Sequence, residues 1–517
     1  MIPLIERTFA DAARARRAFL ATALVLTVLR AWFAAALPFT SDEAYFLSWG
    51  RNPDWGFYDH PPMIGWWLAV LDAVSGHRFV LRLPALAAPL LVAATGWWLL
   101  RRHGEALAWA GATLLLLVPL NAWNVAITTD IPLMMFSALV VALYLRARRT
   151  GRAVDFLLAG LALAGALMSK YFAGLLAIAI FVHSVWRPTR ASLWGLAWVV
   201  VGALPAAAIQ IAWNASNCWP NVMFNLVNRH GDAGLSWQTP ALYALSVFYV
   251  LTPAVALRLF GFAGRGRDAQ QSGSATPAER AALRWLAIVP LAIFAVLSPV
   301  KTIGLHWLAS FVLPAVLWFA LSAGTRSMAR ALAVAMLIAI AHWLLIGVLA
   351  ALPTETFRGW KSYQGLVLTA HADQLAQALA PWRGSHVLAS DGYSPAATLA
   401  YALDEHVIVF GPGTSHARHD DILTDFRALD GRDILIVRRR DVAPGDYDRW
   451  FEQVKLHRIE IRGAHFHLIE GRGFRYGAYR DGVLDEVRRR HYALPGWLPG
   501  GPCYFCDRYF PERACHR

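Results

Sequence analysis

Four carboxylates and a histidine crowd one short stretch of this chain. The segment Phe39–Trp67, FTSDEAYFLSWGRNPDWGFYDHPPMIGWW, holds Asp42, Glu43, Asp54, Asp59 and His60 just after a long apolar run. Ionisable groups beside a membrane cost free energy unless they have partners or a task. Asp42 and Glu43 suit two roles. Behind Thr40 or Ser41 as a cap, they fit the first turn of a helix, where acidic residues meet the helix dipole. At a partly dehydrated interface, a carboxylate can also deprotonate an acceptor hydroxyl as general base. In Asp59-His60-Pro61-Pro62 the prolines lock the backbone and fix where the two preceding side chains point. His60 can meet a phosphate when protonated, or share a divalent metal with Asp59, although two adjacent residues fall short of a metal site.

Further candidates follow along the chain. Asp130, in Thr128-Thr129-Asp130, is either a helix-start residue with Pro132 behind it or a second carboxylate for the same chemistry. Lys170, in MSKYF, is either a snorkelling lysine or a cation for a lipid-borne phosphate. Arg82, Lys301 and His306 recur on the same predicted side of the membrane, so an anionic head group would find several positive partners there. Nothing in the sequence requires a cofactor; a divalent metal is left open. Cys503, Cys506 and Cys515–His516 evoke a zinc half-site, but with Cys218 on the same predicted side of the membrane the cysteines read better as disulfides. There is no Walker loop and no GxGxxG entering a helix, so a sugar donor would have to be lipid-borne.

These residues need a membrane scaffold. Of the 517 residues, 57% are hydrophobic and only 16% charged, against about 25% charged in soluble domains. Span one is expected over Ala18–Leu37, near the roughly 20 residues that cross a bilayer. The opening loop follows (about 38–78), with Met63–Val74 as an interfacial helix. Ten further runs centre near residues 90, 115, 139, 161, 179, 202, 249, 290, 315 and 341, about eleven spans in all. Alternating sides from an inside N-terminus puts 19 basic and six acidic residues on one face and seven of each on the other. That is the positive-inside pattern, not a nucleic-acid footprint. Gly264–Pro277 reads as a polar cytoplasmic linker.

The membrane domain is expected over residues 1–352 and a soluble domain over 353–517, where 22 basic residues nearly balance 21 acidic ones. Short β-like runs at His386–Leu388, His406–Phe410, Asp433–Val437, Leu456–Ile461 and Phe466–Ile469 alternate with helical stretches at Ala370–Leu379 and Asp446–Val454. This predicts a small α/β or α+β domain.

The opening loop, SDEAYFLSWG followed by WGFYDHPPMIGWW, resembles the first outer loop of bacterial membrane glycosyltransferases of the GT-C fold. These are relatives of protein O-mannosyltransferases and of the aminoarabinose transferase that modifies lipid A. TTDIPLMMF at 128–136 and GLALAGALMSKYFAGLL at 160–176 are similar to the same group. The resemblance covers roughly residues 1–320. It implies inverting transfer of a sugar from a polyprenyl phosphate to a glycolipid, glycan or protein acceptor, with no nucleic acid involved. It places the chain in the bacterial inner membrane, among membrane lipids, with the N-terminus cytoplasmic and the C-terminal domain periplasmic. Asp42 would be the catalytic carboxylate supported by Glu43, and Asp130 matches the second acidic loop position. Lys170 would make a donor-phosphate or structural contact, and Asp59, His60 and, by their shared predicted side, Arg82, Lys301 and His306 are the further candidates for the donor phosphate. The aminoarabinose transferase has Glu-Lys-Pro-Pro where this chain has Asp59-His60-Pro61-Pro62, which looks more like the broader lipopolysaccharide-modifying branch that includes galacturonic acid transferases. The rival from another class is a transporter or flippase for a lipid-linked saccharide. It would favour related halves and broken helices near the midplane, and neither is clear in the sequence.

Overall fold

The computed structural model describes residues 1–230, 234–262, 275–416, 418–512 and 515. Most of the Gly264–Pro277 linker, and His516, lie outside the described residues.

Apolar helices occupy every position where a span is expected. Among the described residues seven are long and apolar enough to cross a membrane: Ala12–Ala36, Arg78–His103, Asp130–Thr150, Arg190–Ala215, Pro277–Leu297, Leu305–Ser322 and Thr325–Ala351. An eighth would be the pair Gln238–Leu251 and Pro253–Leu259, bent by 112°. Thr252 sits at the bend with φ 67°, ahead of a proline that cannot donate to the preceding turn. Where three further spans are expected, Glu105–Leu116, Ala153–Ser169 and Ala173–Trp186 are shorter apolar helices. The protein is a multi-pass membrane protein.

The chain divides into two compact units. The first comprises Met1–Ala36, Ser75–Ala208 and Ala233–Leu349, with a continuous core of Leu, Ala, Val and Phe from its helices. One charge is buried within its first span. Arg30 donates to the carbonyls of Ala85 at 2.6 Å, Asn124 at 2.9 Å and Asn121. These carbonyls compensate a guanidinium that would be costly in an apolar interior.

The second unit joins Leu37–Val74 and Ile209–Asp232 to Ala350–Arg517. Its centre is a five-stranded sheet in the order β2-β1-β3-β5-β4: β1 Val387–Ser390, β2 Ile408–Val409, β3 Ile434–Arg438, β4 Phe451–Ile461 and β5 Ala464–Phe474. The first three are parallel and β5 runs antiparallel to both β3 and β4. Alternation along β3 feeds two cores. Leu435 and Val437 face one with Leu399 and Phe466, while Ile434 and Ile436 face the other with Phe426 and Phe474. Both faces of a largely buried sheet are thereby covered.

Each expected strand has its counterpart, but the expected Asp446–Val454 helix does not form. Residues 444–450 are turns, and β4 starts at Phe451. The cause is the hairpin. Arg462 and Gly463, at φ 51° and 79°, make a two-residue turn matched to the strand twist, and pairing runs from Ile461↔Ala464 out to Phe451↔Phe474. The four cysteines form two disulfides, Cys218–Cys503 and Cys506–Cys515.

The opening loop packs into this second unit. Tyr58, together with Cys218, Met223 and Phe224, belongs to the same core as β2 and β3. Phe39 stacks on Tyr401 at 4.2 Å, the edge of His419 meets Phe57 at 5.0 Å, and Arg51 pairs with Asp404 at 2.9 Å.

Candidate functional site

The helix Ser41–Arg51 begins with a reciprocal cap. Thr40 accepts from the Glu43 backbone N–H at 3.3 Å, while the Glu43 carboxylate accepts from the Thr40 N–H and hydroxyl, each at 3.0 Å. This capping box holds Glu43 fully buried, whereas Asp42, one residue earlier in the same first turn, is exposed. The motif thus divides its labour: Glu43 anchors the helix start and Asp42 is presented outward.

One turn along, Tyr45 donates its hydroxyl to Asp59 Oδ1 at 3.2 Å. Asp59 is only 7% exposed. Burial pushes its carboxyl up to about 7, the charge of Asp42 adds to the rise, and the Tyr45 bond and the Arg229 charge oppose it. Burial, with Asp59 adding to it, holds the Tyr45 phenol well above its usual range, so Tyr45 is a donor at any physiological pH. Tyr393 completes the cluster, its ring 5.5 Å from Tyr45 and edge-on. Its hydroxyl is pushed up to about 12 by burial, with Asp42 and Asp59 adding to the effect. A carboxyl that is half-protonated near neutral pH beside an outward carboxylate can exchange protons with a bound hydroxyl.

The turn that carries Asp59 is built from both flanks. Asn221 donates to the carbonyls of Phe57 at 2.5 Å and Tyr58 at 2.8 Å, and Phe57 N–H reaches the His60 carbonyl at 3.0 Å. Trp213 donates to Asp54 Oδ2 at 2.9 Å. The His60 ring lies 6.2 Å from Phe46 and 6.1 Å from Trp49, in an edge-on arrangement with both.

The other candidates belong to the first unit. Lys170 Nζ lies 2.9 Å from both Asp130 oxygens, in a buried pair, and 5.5 Å from the centre of the Phe172 ring. Phe172 in turn packs on Trp307 at 4.4 Å. His306, next to that tryptophan, is exposed, and Lys301 is half-buried. Arg82 is fully buried and donates to the Ala34 carbonyl at 2.6 Å. The structure therefore joins Asp130 with Lys170 and sets the Asp42 charge where it raises the Asp59 carboxyl.

Tyr45, Arg229 and Tyr393 were not singled out from the sequence. Tyr45 had a signal, because Asp42, Tyr45 and Trp49 share one helical face by their spacing. Arg229 and Tyr393 had none, being far away in the chain.

With this geometry in hand, comparison with known proteins decides the architecture. Over 87% of this chain and 97% of its own length, the crystal structure of ArnT from Cupriavidus metallidurans bound to undecaprenyl phosphate superposes with a TM-score of 0.57 at 15% identity. The apo form of the same protein gives 0.57 at 14% identity, covering 89% of this chain and 98% of that one. The chain has the GT-C fold. Residues 59–213 match the family model of dolichyl-phosphate-mannose-protein mannosyltransferases. This GT-C chain is also 29% identical over 141 residues to the lipid A galacturonosyltransferase RgtD of Rhizobium johnstonii, a match that spans 26% of this chain and 30% of that relative.

Proposed function

We propose that the protein is an inverting glycosyltransferase that moves a sugar from a polyprenyl phosphate to a lipid A-type or other envelope acceptor. The acceptor oxygen attacks the anomeric carbon as the bond to the polyprenyl phosphate breaks, and that bond's electron pair leaves with the phosphate. The hydroxyl proton passes to Asp42. The observation that carries this reading is the exposed Asp42 carboxylate in the first turn of the helix whose Tyr45 bonds buried Asp59. A phosphate is a good leaving group, so a positioned base and nearby cations supply much of the remaining catalysis. We assign Lys170 to holding Asp130. The similarity to RgtD and to an undecaprenyl-phosphate-bound structure favours a lipid-linked donor and a lipid A acceptor.

We further place the reaction at the periplasmic face of the inner membrane. This rests on the excess of basic residues on the opposite set of loops, including Arg101–Arg102 and Arg146–Arg152.

The test is transfer by purified protein given a polyprenyl-phosphate sugar and a lipid A-type acceptor, without a membrane gradient. Product formation supports the enzyme. Its absence, with gradient-dependent movement of the lipid-linked sugar, would support a flippase instead. Mass spectrometry of envelope lipids from a deletion strain would name the sugar and the acceptor together.

A further inference from the structure

A cleft opens in the sheet domain. Its volume is about 1110 Å³. It lies where the parallel strands end: Asp391–Pro395 follows β1, Phe410–Thr414 follows β2, and Arg438–Arg440 closes β3. The chain leaves β1 for β2 on one side and returns to β3 on the other. Such a reversal splays the outgoing loops apart, and open α/β sheets bind ligands in the crevice it leaves.

The lining has a definite chemistry. Trp360, Tyr393, Tyr447 and Trp450 supply flat aromatic faces, the kind on which the apolar side of a sugar ring packs. Arg438 is committed to the walls: it pairs with Asp391 at 3.1 Å and donates to the Tyr447 hydroxyl at 3.1 Å, tying the β1 and β3 loops together. Arg439 and Arg440 form no ion pair among the described residues. Both line the cleft, and guanidiniums are suited to an anion, which they can grip through paired hydrogen bonds. Gly411 and Gly413, at φ 108° and 59°, keep the β2 loop in a conformation that side-chain-bearing residues rarely adopt. Tyr393 links this cleft to the loop described above, since it lines the cleft and also packs against Tyr45.

We propose that this cleft binds a phosphorylated saccharide, with the sugar against the aromatic wall and the phosphate on Arg439 and Arg440. It would thereby present the head group of the glycolipid acceptor to the Asp42 loop. The second half of the proposal rests on the glycosyltransferase reading; the binding half does not.

The test is isothermal titration of full-length protein in detergent with glucosamine 1-phosphate, glucosamine and inorganic phosphate. The sugar phosphate is expected to bind at least tenfold more tightly than either fragment. The double variant R439Q/R440Q is expected to lose at least tenfold, and Asp42→Asn to bind as the wild type does. Unchanged affinity in the double variant, or equal binding of inorganic phosphate, would overturn the site. A bisphosphorylated lipid A in mixed micelles is expected to displace the probe. Failure to displace it would overturn the acceptor assignment and leave a site for free sugar phosphate. Because Asp42→Asn is read by binding alone, loss of transfer in that variant bears on the catalytic reading and not on this one.

Discussion

The Tyr45 hydroxyl is bonded to Asp59 Oδ1 at 3.2 Å, across a helix and a proline-locked turn. That bond opposes the burial that pushes Asp59 up to about 7. Asp59 is therefore protonated in the folded protein at pH values where an unfolded aspartate, near 4, is ionised. Between about pH 4 and 7 the folded state binds the extra proton, so stability falls as pH rises through that window and levels off above it. The contribution reaches at most about 4 kcal/mol. Asp59→Asn is expected to flatten the dependence of thermal stability on pH between 5 and 8. Tyr45→Phe, which removes a bond that favours the carboxylate, is expected to steepen it.

Asp42 and Glu43 are expected to separate cleanly by mutation. Asp42 is exposed, so Asp42→Asn should leave folding intact while lowering transfer by about 100-fold or more if it is the general base. Glu43→Gln weakens the reciprocal cap with Thr40 and is expected to cost about 1 kcal/mol of stability. A membrane transfer assay run beside detergent thermal unfolding distinguishes the two. Near-normal product from Asp42→Asn would remove it from the mechanism.

The buried Asp130–Lys170 pair makes a prediction about non-additivity. Removing one partner leaves an uncompensated charge in an apolar surrounding, which costs about 3–5 kcal/mol. Lys170→Met or Asp130→Asn alone is therefore expected to lower the melting temperature markedly. The double variant should recover much of the loss. Equal, additive losses would mean that the ion pair contributes little.

Cys218–Cys503 closes a separation of 285 residues and ties the Ile209–Asp232 segment to the C-terminal end of the sheet domain. Cys503→Ser is expected to cost about 2–5 kcal/mol. Peptide mapping without reduction should recover Cys218 with Cys503 and Cys506 with Cys515. Recovery of zinc with free thiols would contradict the pairing.

Much of the architecture can be read from pattern alone, because a lipid environment demands long uninterrupted apolar runs and because strands alternate with period two. The eleven apolar elements, the five strands and the Met63–Val74 helix are all local in that sense. The capping role of Thr40 was legible too, since the S/T-x-x-E spacing lies within one turn. The Asp446–Val454 stretch misleads because its fate depends on a strand partner rather than on its own composition.

What tertiary structure alone decided is which distant groups meet. The residues at 42 and 59 announce a carboxylate cluster, but only folding buries one and exposes the other, and that difference makes Asp59 titrate near 7. Tyr393 reaches Tyr45, and Arg229 acts on Asp59, through contacts between segments far apart in the chain. Such contacts are set by packing on the sheet core, for which no spacing rule exists. The carboxylates of the opening loop were written locally; the proton affinity of Asp59 was not.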